Sequence, residues 1–323
     1  MIFLVFQHIR RLLVYKVMIR FYSCENGFVE KDERGSHFWI NVENPSLSDR
    51  EFLLGELGVP VSFLDNIADE DERPRFEREC GWLLTIIRIP IKSGKDFYSY
   101  TTIPMGVITK GEIVVSVCHA DTEMIPDFID HTRRRHIKIE THPDFILRLI
   151  YSSTYWYLRY LKMIDNTVTD SMGDLEKAVT NKDLLNLMKL QNALVFFNTS
   201  LKGNSMLIER LDKEFEDTPD ADLMEDVDIE LQQADNTVNV YMEILDSATD
   251  TFASIVSNNV NQIMKKMTSV SIILMIPTLI ASFYGMNVAV AFADRPHAFW
   301  LIALVSFALA VLIYFVLRRT KWF

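Results

Sequence analysis

Basic residues are missing from a long stretch of this chain: between Lys213 and Lys265 there are thirteen Asp or Glu and no Lys or Arg. Helix breakers are missing from the same region, with no glycine between Gly203 and Gly285 and no proline between Pro219 and Pro277. That freedom over residues 222–286 predicts one helix, roughly 95 Å long at the standard rise. Cysteine is scarce, and Cys24, Cys80 and Cys118 show no CxxC and no paired-histidine spacing. A disulfide framework and a zinc site are thereby excluded, and reduced structural thiols are expected. Walker A, HExxH and GxSxG motifs are absent too, so no residue pattern points to an enzyme.

Charge of either sign is absent from residues 267–286 and 298–317, two runs of 20 residues each. A helix of that length crosses the ~30 Å hydrocarbon core of a bilayer. Only residues 287–297 separate the runs, so they form a hairpin of two transmembrane helices. Lys265 and Lys266 precede the first run, Arg318, Arg319 and Lys321 follow the second, and the connecting loop has Arg295 alone. By the positive-inside rule the loop is external and both termini are cytoplasmic, which makes this a multi-pass protein of the cytoplasmic membrane.

The first run is not uniformly apolar. Thr268, Ser271, Met275, Thr278, Ser282 and Gly285 recur in steps of three and four, one stripe along one helix face. Upstream the stripe continues to Asn261, and downstream it ends beside Asn287, just past a helix-ending glycine. Hydroxyls on such a face either bond carbonyls of their own helix and let neighbours approach, or face water. A symmetric ring of these helices would line a polar path.

Upstream, residues 1–17 read as a loose extension or a mis-called start, because Met18-Ile19-Arg20-Phe21-Tyr22 resembles the opening strand of a domain. Residues 18–138 form an α+β domain, with strands expected over 37–42, 82–90, 98–109 and 112–118. Helices are expected over 46–57, with Ser46 as cap, and over 60–68. The acidic run 65–72 and the following Arg73-Pro74-Arg75-Phe76-Glu77 have the composition of a solvated loop. His131 and His136, beside Arg133, Arg134 and Arg135, belong to an exposed basic segment. Residues 139–217 form a helical hairpin, with helices over 144–179 and 182–215. Tyr151, Tyr155, Trp156, Tyr157 and Tyr160 read as core, since a chain of net charge −11 repels nucleic acid.

Along the long helix, Val227, Leu231, Ala234, Val238, Tyr241, Leu245, Ala248, Phe252 and Ile255 alternate steps of four and three. This seam predicts packing along the whole stalk. Bringing several such acidic stalks together requires neutralisation, for which hard divalent cations with carboxylate ligands are suited.

The Tyr284-Gly285-Met286-Asn287 motif at the end of the first of two C-terminal spans resembles the signature of the CorA family of magnesium channels. Asn261 to Lys265, Pro277-Thr278, the tail Lys321-Trp322-Phe323, Trp39-Ile40-Asn41 and the segment Asp71 to Glu77 also look like family landmarks. The resemblance implies a homopentameric funnel in which Mg²⁺ is both transported and regulatory ion. It implies that Asn287 forms the selectivity ring, that Gly285, Thr278, Met275 and Asn261 face the pore, and that Met267 forms the inner constriction. Tyr284 and Met286 complete the motif. It further implies a cytosolic Mg²⁺ sensor between subunits, onto which Asp65, Asp226 and Asp250 map. Departures are Asn66 where a second acid is usual, Tyr155 and Trp156 near further acidic positions, and Val288 to Ala291 where a glutamate often follows the motif. Alternatives are the zinc-transporting branch of the same superfamily, disfavoured by Met286 and by the lack of a His-rich tract, and a sensor merely tethered by its hairpin.

Overall fold

A computed structural model describes residues 19–24, 26–31, 39–93, 99–173, 181–214, 221–286 and 297–320. The expected extension 1–17, most of the external loop including Asn287, and the last three residues lie outside these. The chain divides into two compact units, one up to Ser247 and one from Ala248.

The first unit is built on a seven-stranded sheet: β1 (Ile19–Cys24), β2 (Phe28–Lys31), β3 (Trp39–Glu43), β4 (Arg75–Glu79), β5 (Trp82–Lys92), β6 (Tyr100–Lys110) and β7 (Ile113–Cys118). Strand order is β2-β1-β3-β7-β6-β5-β4. Only β3 and β7 pair in parallel, with Asn41 opposite Ser116; the other pairs are antiparallel. Helices α1 (Leu47–Gly55) and α2 (Val61–Ala68) follow β3. They are followed, after β7, by α3 (Met124–Arg134), α4 (His142–Gly173) and α5 (Asn181–Glu214). Helix α6 (Ala221–Tyr284) runs through both units, and α7 (Ala298–Arg319) belongs to the second.

Alternation along the strands sorts side chains between two faces. Ile40, Val42, Leu84, Ile86, Ile108, Val115 and Val117 meet Leu53 of α1 and Phe63, Leu64 and Ile67 of α2 in one core. Gly106 is required beneath this layer, because a Cβ there would come within 2.2 Å of Ile67 Cδ1. On the opposite face Trp39 is stacked on Tyr22 at 4.8 Å and lies near Phe28 and Phe145 at 4.7 and 5.2 Å between ring centroids. Its indole donates to Ser116 Oγ at 2.8 Å, and Ser116 donates to Asn41 Oδ1 at 2.7 Å. The Trp39-Ile40-Asn41 landmark is therefore a core feature, with one residue for each layer and an amide that ties β3 to β7.

Strands β3, β5, β6 and β7 and helices α1 and α2 lie where the periodicity puts them, and Ser46 caps α1 in a reciprocal capping box with Asp49. Three elements depart from expectation. β2 is too short to carry a pattern. β4 occupies part of the segment read as a solvated loop: its sequence is charged because it is an edge strand, where charge blocks further pairing. The basic segment around His131 is the end of helix α3, whose first turn is held by Thr122 Oγ1 accepting from Ile125 N at 3.2 Å. His131 itself is exposed, as expected.

Arg88 joins the sheet to three other segments. Its guanidinium donates to the carbonyls of Glu70 and Glu72, both at 2.9 Å, and to Thr102 O at 2.7 Å. Asn204 of α5 accepts from the Arg88 amide at 3.0 Å and donates to its carbonyl at 2.9 Å, while Tyr157 of α4 donates to the same carbonyl at 3.0 Å. Burial lowers the pKa of Arg88 and raises that of Tyr157. Thus Trp156, Tyr157 and Tyr160 are core as expected, whereas Tyr151 and Tyr155 on the same helix are exposed. Replacing Asn204, itself fully buried, with Ala leaves a backbone donor without its partner. We expect a loss of about 1–3 kcal/mol, measured by denaturant unfolding of the full-length protein; an unchanged midpoint contradicts this role.

Candidate ion pathway

The seam predicted along the stalk is buried at Val227, Leu231, Ala234, Val238, Leu245, Ala248 and Phe252, with Tyr241 and Ile255 half-buried. Beyond it the same helix changes composition and becomes uncharged from Met267 onward. Among the described residues two helices are long and apolar enough to cross a membrane, the C-terminal part of α6 and the whole of α7.

Each of these helices has one covered face. On α6 it comprises Ser269, Ile272, Ile273, Ile276 and Ile280, and on α7 Ile302, Ser306, Ala310, Ile313 and Leu317. The α7 set steps by three or four residues and the α6 set keeps to one side of its helix with Ile272 and Ile273 adjacent, and Ser269, Ser306 and Ala310 are small enough to permit close helix approach. The remaining surfaces differ. Phe299, Trp300, Leu304, Phe307, Leu312 and Phe315 stand out from α7, an apolar surface suited to hydrocarbon.

The exposed face of α6 is mixed. Thr268, Ser271, Met275, Thr278, Ser282 and Gly285 are all exposed, as are Asn261 and Met267 upstream. At about 100° per residue the centre of this stripe lies nearly half a turn from the covered face. The polar positions read from the sequence are therefore exposed, without a covering neighbour among the described residues.

Two stripe hydroxyls are anchored. Ser271 Oγ donates to Met267 O at 3.0 Å and Thr278 Oγ1 donates to Leu274 O at 2.9 Å. Bonding to the helix's own carbonyls and facing outward are thus not alternatives. With its proton committed inward, each oxygen keeps lone pairs and becomes purely an acceptor outward. Water around a divalent cation points its hydrogens away from the ion, so an acceptor-lined wall is what a hydrated cation requires. Pro277, one residue earlier, supplies no N–H to the carbonyl four residues back. At the outer end the helix tightens and stops: Gly285 N donates to both Ala281 O and Ser282 O, at 3.0 and 3.2 Å. Tyr284 is the last helical residue, and Met286 is exposed.

The three candidate sensor acids stand apart. Asp65 on α2 is paired with Arg50 at 2.6 Å. Asp226, near the start of α6, borders a cleft with Arg134, Arg135 and Arg148. Asp250 is exposed. Among the described residues no group of three or more His, Cys, Asp or Glu is gathered as a metal would need. Trp156, at one of the departing positions, donates to Asp127 Oδ2 at 3.1 Å and lies under the Arg159 guanidinium at 4.4 Å.

A family model described as CorA-like Mg²⁺ transporter protein matches residues 34–319, nearly the whole chain. The chain belongs to that family. The cobalt/magnesium transport protein CorA of Methanocaldococcus jannaschii is 25% identical over 291 residues, covering 88% of this chain and 90% of that protein. The complete structure of the CorA magnesium transporter from the same organism superposes with a TM-score of 0.76 at 23% identity, covering 95% of this chain and 99% of that one. The cytoplasmic domain of ZntB from Vibrio parahaemolyticus shares the fold, with a TM-score of 0.58 at 14% identity over 75% of this chain and 99% of that domain. Membership makes this a membrane transporter with an N-terminal α+β unit, a long helix and a second apolar helix. The Arg88 junction and the cleft were not legible in the sequence, because each assembles segments distant along the chain.

Proposed function

We propose that the protein is a channel that conducts Mg²⁺ passively across the cytoplasmic membrane, with Co²⁺ or Ni²⁺ as further cargo. The observation that carries this reading is the exposed stripe of α6: a membrane-length helix of a CorA-like transporter presents anchored hydroxyls on a face with no neighbour among the described residues of its own chain. Identical copies arranged in a ring, five by the family resemblance, bring these faces together around a water-filled path. Both termini are cytoplasmic and residues 287–297 external. Asn287 forms the ring at the outer mouth, where neutral amides hold Mg²⁺ through its hydration shell, since this ion sheds water reluctantly. The wall below it is Gly285, Ser282, Thr278, Met275 and Ser271, with Met267 as the inner constriction and Asn261 on its cytoplasmic side. An inside-negative potential supplies about 2.3 kcal/mol per charge per 100 mV, hence roughly twice that for a divalent ion.

Cytosolic Mg²⁺ closes the path by binding between copies, with Asp226 and Asp250 on the stalk and Asp65 on the neighbouring α+β unit as ligands. Arg50 competes for Asp65, which weakens its share of the site.

Mg²⁺ flux into proteoliposomes at a fixed inside-negative potential tests the channel. Flux is expected in the native protein, to be lost in Asn287→Ala, and to resist competition by Zn²⁺. Flux unaffected by the substitution makes the motif structural; no flux in the native protein favours a tethered sensor. The sensor has its own test. Asp226→Asn combined with Asp250→Asn is expected to relieve inhibition by internal Mg²⁺ and to abolish Mg²⁺ protection against trypsin, and retention of both effects contradicts the assignment.

A further inference from the structure

The unit up to Ser247 has a cleft of about 610 Å³ between α3, α4 and the start of α6. Arg134, Arg135 and Arg148 border it together with His131, against the carboxylates of Asp127 and Asp226. In a chain of 33 basic and 44 acidic residues, three arginines against two aspartates give the border of this cleft a small basic excess. Arg148 is paired with Asp144 at 2.6 Å and Arg134 with Asp130 at 3.0 Å. Arg135, exposed at the end of α3, makes no ion pair among the described residues. One wall is aromatic: Tyr151 and Tyr155, one turn apart on α4, are 37% and 55% exposed.

The complementary surface is the turn after α2. Asp69, Glu70 and Asp71 are exposed there, with Asp65 one turn earlier. This turn is held rigid. Asp69 Oδ1 accepts from the Asp71 amide at 3.0 Å, Asp69 O accepts from the Glu72 amide at 3.1 Å, and Arg88 grips the carbonyls of Glu70 and Glu72 from below. A carboxylate knob fixed in this way loses little entropy on docking. None of residues 69–72 borders the cleft of its own chain.

We propose that the acidic turn 69–72 of one copy docks into the arginine-bordered cleft of the next copy. This inference rests on the reading of the protein as a ring of identical chains. Knob and cleft are different surfaces, so the contact is heterologous and repeats from copy to copy around a closed ring. The arginines act as tethered cations, so the contact persists when Mg²⁺ is removed and holds adjacent copies while metal-dependent contacts change.

The test uses the full-length protein in mild detergent. In a Cys80→Ser background, which removes the exposed native thiol, Asp71→Cys is combined with Arg135→Cys and oxidised in the presence of EDTA. A ladder of disulfide-linked oligomers is expected from the double variant and not from either single one. No ladder, with the thiol at position 135 fully open to maleimide in the assembled protein, overturns the contact. So does closure of the cleft by inorganic phosphate or ATP with no ladder. Charge exchange gives a second reading that misfolding does not imitate: Asp71→Arg or Arg135→Asp alone lowers the dissociation temperature of the oligomer, and the two together restore it. Failure to restore it also overturns the contact. Mg²⁺ flux of the same preparation separates the two readings, because flux without a ladder removes the contact and keeps the channel, whereas monomeric protein without flux removes both.

Discussion

Hydrocarbon offers no hydrogen bonds, and most of what is distinctive in this chain follows from that constraint acting on one helix. The C-terminal part of α6 carries Thr268, Ser271, Thr278 and Ser282 across a distance that only a bilayer-spanning helix needs. Ser271 and Thr278 satisfy their protons on their own backbone, so the cost of their position falls on the outward lone pairs. Lipid leaves those unsatisfied and a hydrated cation satisfies them. Helix α7 makes the comparison within one molecule, being of similar length with apolar side chains over its exposed surface. On the proposed reading the two spans divide the work under the same constraint, one facing lipid and the other facing a path that further copies complete.

The unit up to Ser247 contains the first part of the same helix. Val227 to Leu245 give the first part of α6 a buried seam of its own, independent of the membrane part. Within that unit Arg88 ties the sheet to the turn at 70–72, to Tyr157 and to Asn204, replacing carboxylate partners with carbonyl oxygens. A charge buried in this way costs less than an isolated one, and it fixes an otherwise mobile class of element, an acidic surface turn, against the sheet.

Patterns with a strong period were legible in the sequence. The stalk seam and the stripe on α6 both survive as burial patterns because a helix converts steps of three and four into faces without reference to anything else. Strands β3, β5, β6 and β7 were legible for the same reason. The charged edge strand β4 was not, since at a sheet edge the demand for charge overrides the usual apolar alternation. Helix α3 was hidden because its start is held by the hydroxyl of Thr122 rather than by a recognisable capping box. Asp65, Asp226 and Asp250 illustrate another limit: they are alike in sequence, yet one chain does not gather them, so any shared role depends on neighbours.

Thiol accessibility along α6 tests the central claim most directly. Single cysteines replace Ser271, Met275, Thr278 and Ser282 on the stripe, and Ile272, Ile273, Ile276 and Ile280 on the covered face, in a cysteine-free background. The reagent is a charged, membrane-impermeant thiosulfonate applied to the protein in liposomes. A water-filled path predicts modification at the four stripe positions and none at the four covered ones. Stripe positions that stay unreactive, or reaction spread evenly around the helix, would contradict the account.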